Sequence, residues 1–215
     1  MYSREQLRRA MRLYAVTDRT WLHGRTLPAC VACAIAGGAS FVQLREKSAS
    51  SGEKAALARA ISPLCRAAGA PFVIDDDVDV ALAVSADGVH VGQSDVACAE
   101  ARAALGPGKI VGVSAQTVAK ALAAQQAGAD YLGVGAVFGT PTKPDAELVS
   151  LATLADICAA VDIPVVAIGG LNERTLDSLA KTGVAGAAVV SALFSAPDIE
   201  QAARRLRAQI DAVLE

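Results

Sequence analysis

The stretch VAKALAAQQAGADYLGV, residues 118–134, contains the unit from which the chain is built. Small apolar residues recur at helical period over Val118–Ala127, which predicts an amphipathic helix. Gly128 follows, the residue best able to take the left-handed backbone that ends a helix. Tyr131–Val134 is then apolar without alternation, as in a strand buried on both faces. The theme returns on either side. Gly38-Ala39 precedes Phe41–Leu44, Gly69-Ala70 precedes Phe72–Ile74, Asp87-Gly88 precedes Val89–Val91, and Gly183 comes shortly before Ala187–Val190. Leu13–Val16, Ile110–Val113 and Pro164–Ile168 complete a set of eight expected strands. Helical patterns are expected at Leu27–Gly37, Leu151–Val161, Thr175–Lys181 and Ile199–Val213, while Val78–Ser85 after the third strand is short. Eight strand–helix units at roughly 25-residue spacing match a closed (β/α)8 TIM barrel better than an open doubly wound sheet. The 215 residues fit one such domain over 1–215, with residues 1–12 as an N-terminal helical lead-in.

Composition narrows the function classes. Hydrophobic residues make up 53% of the chain, far above what a disordered chain carries. No run reaches the ~18 uninterrupted apolar residues of a membrane span. Arg4, Arg8 and Arg9 around Glu5 have no apolar run behind them, so the start of the chain does not read as a signal peptide. A net charge of −2 gives no electrostatic case for nucleic acid or lipid, and small-molecule partners are expected. An oligomer is compatible with the sequence. Among the five cysteines, Cys30 and Cys33 form a CVAC, read either as a redox pair or half a zinc site, or as buried small residues of a helix. The second reading is favoured, because no other CxxC occurs and the chain has only two histidines. This cysteine usage suits a reducing compartment, and a cytoplasmic location is expected.

Active sites on this fold sit at the C-terminal ends of the strands. Gln43, Arg45 and Lys47 alternate after the second strand, and two cations with an amide on one side make a site for a polyanion. The competing reading is a salt-bridged strand end with Glu46 as partner. Asp75, Asp76 and Asp77 follow the third strand and Asp95 the fourth. Adjacent carboxylates repel unless neutralised, and hard oxygen ligands beside a phosphate site suit Mg²⁺, held by Asp76 and Asp95. Alternatively, some of these aspartates cap the next helix, the role expected of Asp77. Ser114 follows the fifth strand, and Thr117 is expected to cap the helix after it. Thr140, Thr142 and Lys143 follow the sixth, the last two between prolines, a weak anion pattern or an ordinary turn. Gly169-Gly170 and Val190-Ser191 end the last two strands, where such barrels often bind phosphate through backbone N–H groups. A helix cap or tight turn would explain the glycines equally. The residues thus suggest two anion sites, one basic and metal-assisted, one built of backbone. Two substrates with separate phosphoryl ends would account for both.

These motifs in this order resemble the thiamine-phosphate synthase family. The matching stretches are LYAVTD (13–18), QLREK (43–47), VIDDDVDVALAVSADGVHVGQSD (73–95), GVSAQT (112–117), GADYLGVGAVFGTPTKPDA (128–146), PVVAIGGLNERT (164–175) and AAVVSALF (187–194). The resemblance implies an alkyl transferase of thiamine biosynthesis. It joins a pyrimidinylmethyl diphosphate to a thiazole phosphate and releases diphosphate, with Mg²⁺. It further implies that Gln43, Arg45 and Lys47 hold the pyrimidine and its diphosphate, with Asp75 beside them. Ser114 and Lys143 would contact diphosphate, and Arg45, Lys47, Ser114 and Lys143 would carry the catalysis. Thr140, Thr142, Gly170, Val190 and Ser191 would frame the thiazole phosphate. Asp75 departs from the family's usual Asn, Gln116 from its usual His, and Ala136 from its usual Pro. Related thiazole tautomerases use a His after the fifth strand, where this chain has Gln116. A non-catalytic barrel that binds thiamine precursors is the other alternative.

Overall fold

The computed structural model describes residues 2–92, 97–140, 142 and 147–215. In chain order the elements are α1 (Arg4–Ala10), β1 (Leu13–Val16), α2 (Leu27–Ala36), β2 (Phe41–Leu44), α3 (Ser51–Ala68), β3 (Phe72–Asp75), α4 (Val78–Ala83), β4 (Gly88–Val91) and α5 (Cys98–Leu105). They continue with β5 (Ile110–Ala115), α6 (Val118–Gln126), β6 (Tyr131–Val134), α7 (Leu151–Ala160), β7 (Val165–Ile168), β8 (Gly186–Val189), α8 (Ser191–Phe194) and α9 (Ile199–Val213). All eight strands are parallel and pair in sequence order, β8 closing on β1. The single (β/α)8 barrel expected from the repeat is the fold.

The strands carry few polar residues because each has two hydrophobic neighbours. Leu13, Ala15, Val42, Leu44, Ile74, Val89 and Val111 face the helices in one large core. Tyr14, Val16, Phe41, Val73, Ile110, Tyr131, Val166 and Ala188 fill the barrel, and Leu7 and Met11 of α1 join them from its N-terminal end. Side chains cap the helices where backbone N–H groups would otherwise lack partners. Asp77 accepts from Val80 N at 3.0 Å and Thr117 from Lys120 N at 3.2 Å, the roles expected of both.

Four local readings change. The Thr175–Lys181 helix shrinks to a 3-10 turn over Leu176–Leu179. Ser114 belongs to β5 itself rather than to the loop after it, since that strand runs on to Ala115. β8 stops at Val189, so Val190 begins the turn into α8. Cys30 is buried as a core residue of α2, but Cys33, three residues on, is exposed. Among the described residues no helix is long and apolar enough to cross a membrane.

Candidate active site

A cavity of about 530 Å³ opens at the C-terminal ends of the strands. The register of neighbouring strands decides which side chains reach it. Asp75 lies opposite His90, His90 opposite Gly112, and Ser114 opposite Gly133. The cavity wall takes Gln43, Arg45 and Lys47 from the end of β2 and the loop after it, so the expected alternation holds past the strand's last residue. Asp75, Asp76, Ser114, Gln116, Thr140, Thr142, Gly170, Val190 and Ser191 line the same space. Asp95 and Lys143 lie outside the described residues.

The charged side is cross-linked. Lys47 Nζ contacts Asp76 Oδ2 and stands 3.5 Å from Asp75 Oδ2, which is 3.8 Å from Arg45 Nε. Asp76 adopts a left-handed φ of 59°, and its Oδ1 accepts from Gly92 N at 3.2 Å. Burial, then repulsion from Asp76, pushes the Asp75 carboxyl up to about 6 against the pull of Lys47 and Arg45. Two cations therefore face two carboxylates, and Asp75 is a counter-ion of the cations rather than a neutral hydrogen-bonding group.

Glu46 is not their partner. Its Oε2 accepts from Arg19 Nε at 2.5 Å, away from the cavity, where burial raises its carboxyl against that hydrogen bond. The hydroxyl of Thr17 accepts from Arg45 N at 3.0 Å. The loop after β1 thus anchors the segment that carries Arg45 and Lys47.

The opposite side is built differently. Gly169 and Gly170 have φ of 96° and 65°, a region costly for any residue with a Cβ. A Cβ on Gly169 would come 2.5 Å from Ala136 Cα, and one on Gly170 2.6 Å from Phe138 Cβ. The glycines let the loop after β7 press against the loop after β6. The Thr142 hydroxyl is buried on this cavity wall with no hydrogen-bond partner among the described residues.

The floor holds residues that the motifs did not single out. Gln43 Nε2 donates to Tyr14 Oη at 2.8 Å, and Tyr14 Oη is 2.7 Å from Tyr131 Oη. Tyr131 Oη is 2.9 Å from His90 Nδ1, and His90 Nε2 is 3.0 Å from Ser114 Oγ. Burial raises both phenols and pushes His90 down to about 4, so all three are neutral near pH 7. His90 is buried, as its place in a strand suggested, yet its ring reaches the cavity. The sequence signal for this floor is a pair of glycines inside Val-rich strands. A Cβ on Gly112 would come 2.1 Å from Tyr131 Cζ, and one on Gly133 3.0 Å from His90 Cε1.

The comparisons with known proteins point to one family. The family model described as thiamine monophosphate synthase matches residues 13–193. A thiamine-phosphate synthase of Ruminiclostridium cellulolyticum is 50% identical over 194 residues, covering 90% of this chain and 92% of that protein. One from a Roseiflexus species is 46% identical over 94% of this chain and 86% of its own length. A solved structure of thiamine phosphate pyrophosphorylase from Pyrococcus furiosus superposes with a TM-score of 0.90 at 41% identity, covering 97% of this chain and all of that one. A match of this extent, over a barrel whose mouth gathers the cations, carboxylates and glycines of the motifs, places the chain in the thiamine monophosphate synthase family.

Proposed function

We propose that the chain is a thiamine-phosphate synthase that works by ionising its diphosphate substrate, without a proton-transfer residue. The observation that carries this reading is one cavity with a cationic side at β2–β3 and a glycine side at β7–β8. In the reaction, the bond from the pyrimidine methylene carbon to the diphosphate oxygen breaks, and its electron pair leaves with diphosphate. The aminopyrimidine ring delocalises the resulting positive charge. The thiazole nitrogen lone pair then forms the new C–N bond, and no proton moves.

Arg45 and Lys47 take up the charge that develops on the leaving group, in a site where such interactions act before water can reorganise. Gln43 orients the pyrimidine, and Ser114 and Lys143 donate to diphosphate. Thr140, Thr142, Gly170, Val190 and Ser191 receive the thiazole phosphate; the Thr142 hydroxyl, without a partner among the described residues, suits that acceptor-rich group. Asp76 fits a hard divalent cation: its carboxylate lines the mouth, oriented by Gly92 N. With Asp95 it would hold Mg²⁺, which when bound neutralises charge on the leaving diphosphate. The reaction as written moves no proton, so His90, within hydrogen-bonding distance of the Tyr131 and Ser114 hydroxyls, has no base's task in it.

Mixing the purified protein with pyrimidinylmethyl diphosphate, thiazole phosphate and Mg²⁺ tests the reading. Thiamine phosphate and diphosphate are expected in equal amounts, and only with all components present. Isomerisation of a carboxylated thiazole phosphate alone would instead identify a tautomerase, and binding without product a precursor-binding barrel.

A further inference from the structure

We infer that Tyr14 and Tyr131 are positioning residues: with His90 they form a one-way hydrogen-bond chain from Gln43 to Ser114, which fixes His90 as its Nε2–H tautomer and directs the Ser114 hydroxyl proton toward the substrate diphosphate. The last clause rests on the proposed role of Ser114; the direction of the chain does not.

The direction follows from counting protons. An amide nitrogen only donates, so Tyr14 Oη accepts from Gln43 Nε2; its buried proton has no other acceptor among the described residues and goes to Tyr131 Oη. Tyr131, having accepted, has one proton left, and His90 Nδ1 is 2.9 Å away. Nδ1 then accepts. A buried neutral imidazole carries one N–H, so the proton sits on Nε2, 3.0 Å from Ser114 Oγ. Ser114 accepts on its floor side and donates on its mouth side. The opposite direction would commit the one Ser114 proton to His90, which sets it against an acceptor-only diphosphate.

The barrel is shaped around this chain. Gly112 and Gly133 stand where a Cβ would strike Tyr131 or crowd His90; Gly112 lies on β5 between the strands that carry the two rings, and Gly133 lies on β6 with Tyr131. Tyr14, Phe41 and Tyr131 pack edge or tilted against one another with ring centroids 4.4–6.0 Å apart, so the phenols hold their places by packing.

Nitrogen NMR of ¹⁵N-histidine-labelled protein reads the tautomer directly. The chain has two histidines, and a His23→Asn variant removes the exposed one from the spectrum. Near pH 7.5 His90 is expected as a single neutral species with its proton on Nε2. Tyr131→Phe removes the donor to Nδ1, so the tautomers are expected to mix and kcat to fall roughly tenfold, with KM for thiazole phosphate little changed. Tyr14→Phe breaks the chain one link further away and is expected to do less. An Nδ1–H tautomer in the unmodified protein overturns the inference. So does a folded Tyr131→Phe protein with unchanged tautomer and kcat; if that variant does not fold, the unmodified spectrum alone decides. Absence of thiamine phosphate synthesis by the unmodified protein would defeat the functional reading while leaving the tautomer result standing.

Discussion

On the β2–β3 side of the mouth, the cavity is walled by side-chain charge: Arg45 and Lys47 both within 3.8 Å of Asp75, and Lys47 in contact with Asp76 as well. On the β7–β8 side the same cavity is bounded by Gly169, Gly170, Val190 and Ser191, with backbone at the surface and no ionised group among the described residues. Both sides are read as binding a phosphoryl group, yet they face different tasks. A phosphate that is only held needs shape and N–H donors. A diphosphate that departs with an extra pair of electrons needs charge that strengthens as the bond breaks.

Substitutions should therefore fail in different ways on the two sides. Lys47→Ala is expected to lower kcat by about 100-fold or more in steady-state kinetics, with a smaller change in KM for thiazole phosphate. A similar kcat for this variant and the unmodified protein would erase the distinction. Gly170→Ala must carry a Cβ at φ 65° and 2.6 Å from Phe138 Cβ. It is expected to cost on the order of 1–3 kcal/mol in thermal or denaturant unfolding and to raise KM for thiazole phosphate more than it lowers kcat.

Asp75→Asn sharpens the comparison from inside the charged side. It removes the carboxylate that competes with diphosphate for Arg45 and Lys47, so KM for the pyrimidine diphosphate is expected to fall roughly two- to fivefold. A rise in that KM would mean that Asp75 helps to hold the substrate complex. The smallest effect concerns salt. Raising ionic strength to about 0.5 M is expected to raise KM for the diphosphate substrate more than KM for thiazole phosphate, because screening acts on the charged wall. Equal shifts would argue that both sides attract their ligands through the same field.

The two sides were also unequally legible. Charge is written in the chain: QLREK suggests a polyanion site and the Asp75–Asp77 run suggests metal ligands or helix caps beside it, and alternation put Gln43, Arg45 and Lys47 on one wall. All eight strands could be placed to within a residue or two, because each follows a glycine or carries an unbroken apolar run. Gly169-Gly170 could be seen but not explained. Their packing against Ala136 and Phe138 depends on a neighbouring loop that no local pattern reveals. The alternative that paired Glu46 with these cations fails for the same reason, since its partner Arg19 comes from the loop after β1, 27 residues away. Of the floor, only its ends Gln43 and Ser114 were legible. In strands buried on both faces, LYAV and YLGV show nothing that tells an inward phenol from an outward leucine. Only Gly112 and Gly133 marked where large inward groups needed room.

The central claim is that charge on the β2–β3 side drives bond breaking with no proton transfer, and the pH profile of kcat tests it most directly. His90, pushed down to about 4, stays neutral across the neutral range and has its ring nitrogens occupied. The account predicts a kcat that is flat between about pH 7 and 9 with both substrates saturating. A limb in that range that vanishes in a His90→Asn variant would contradict it, because a titrating base would then be part of the chemistry.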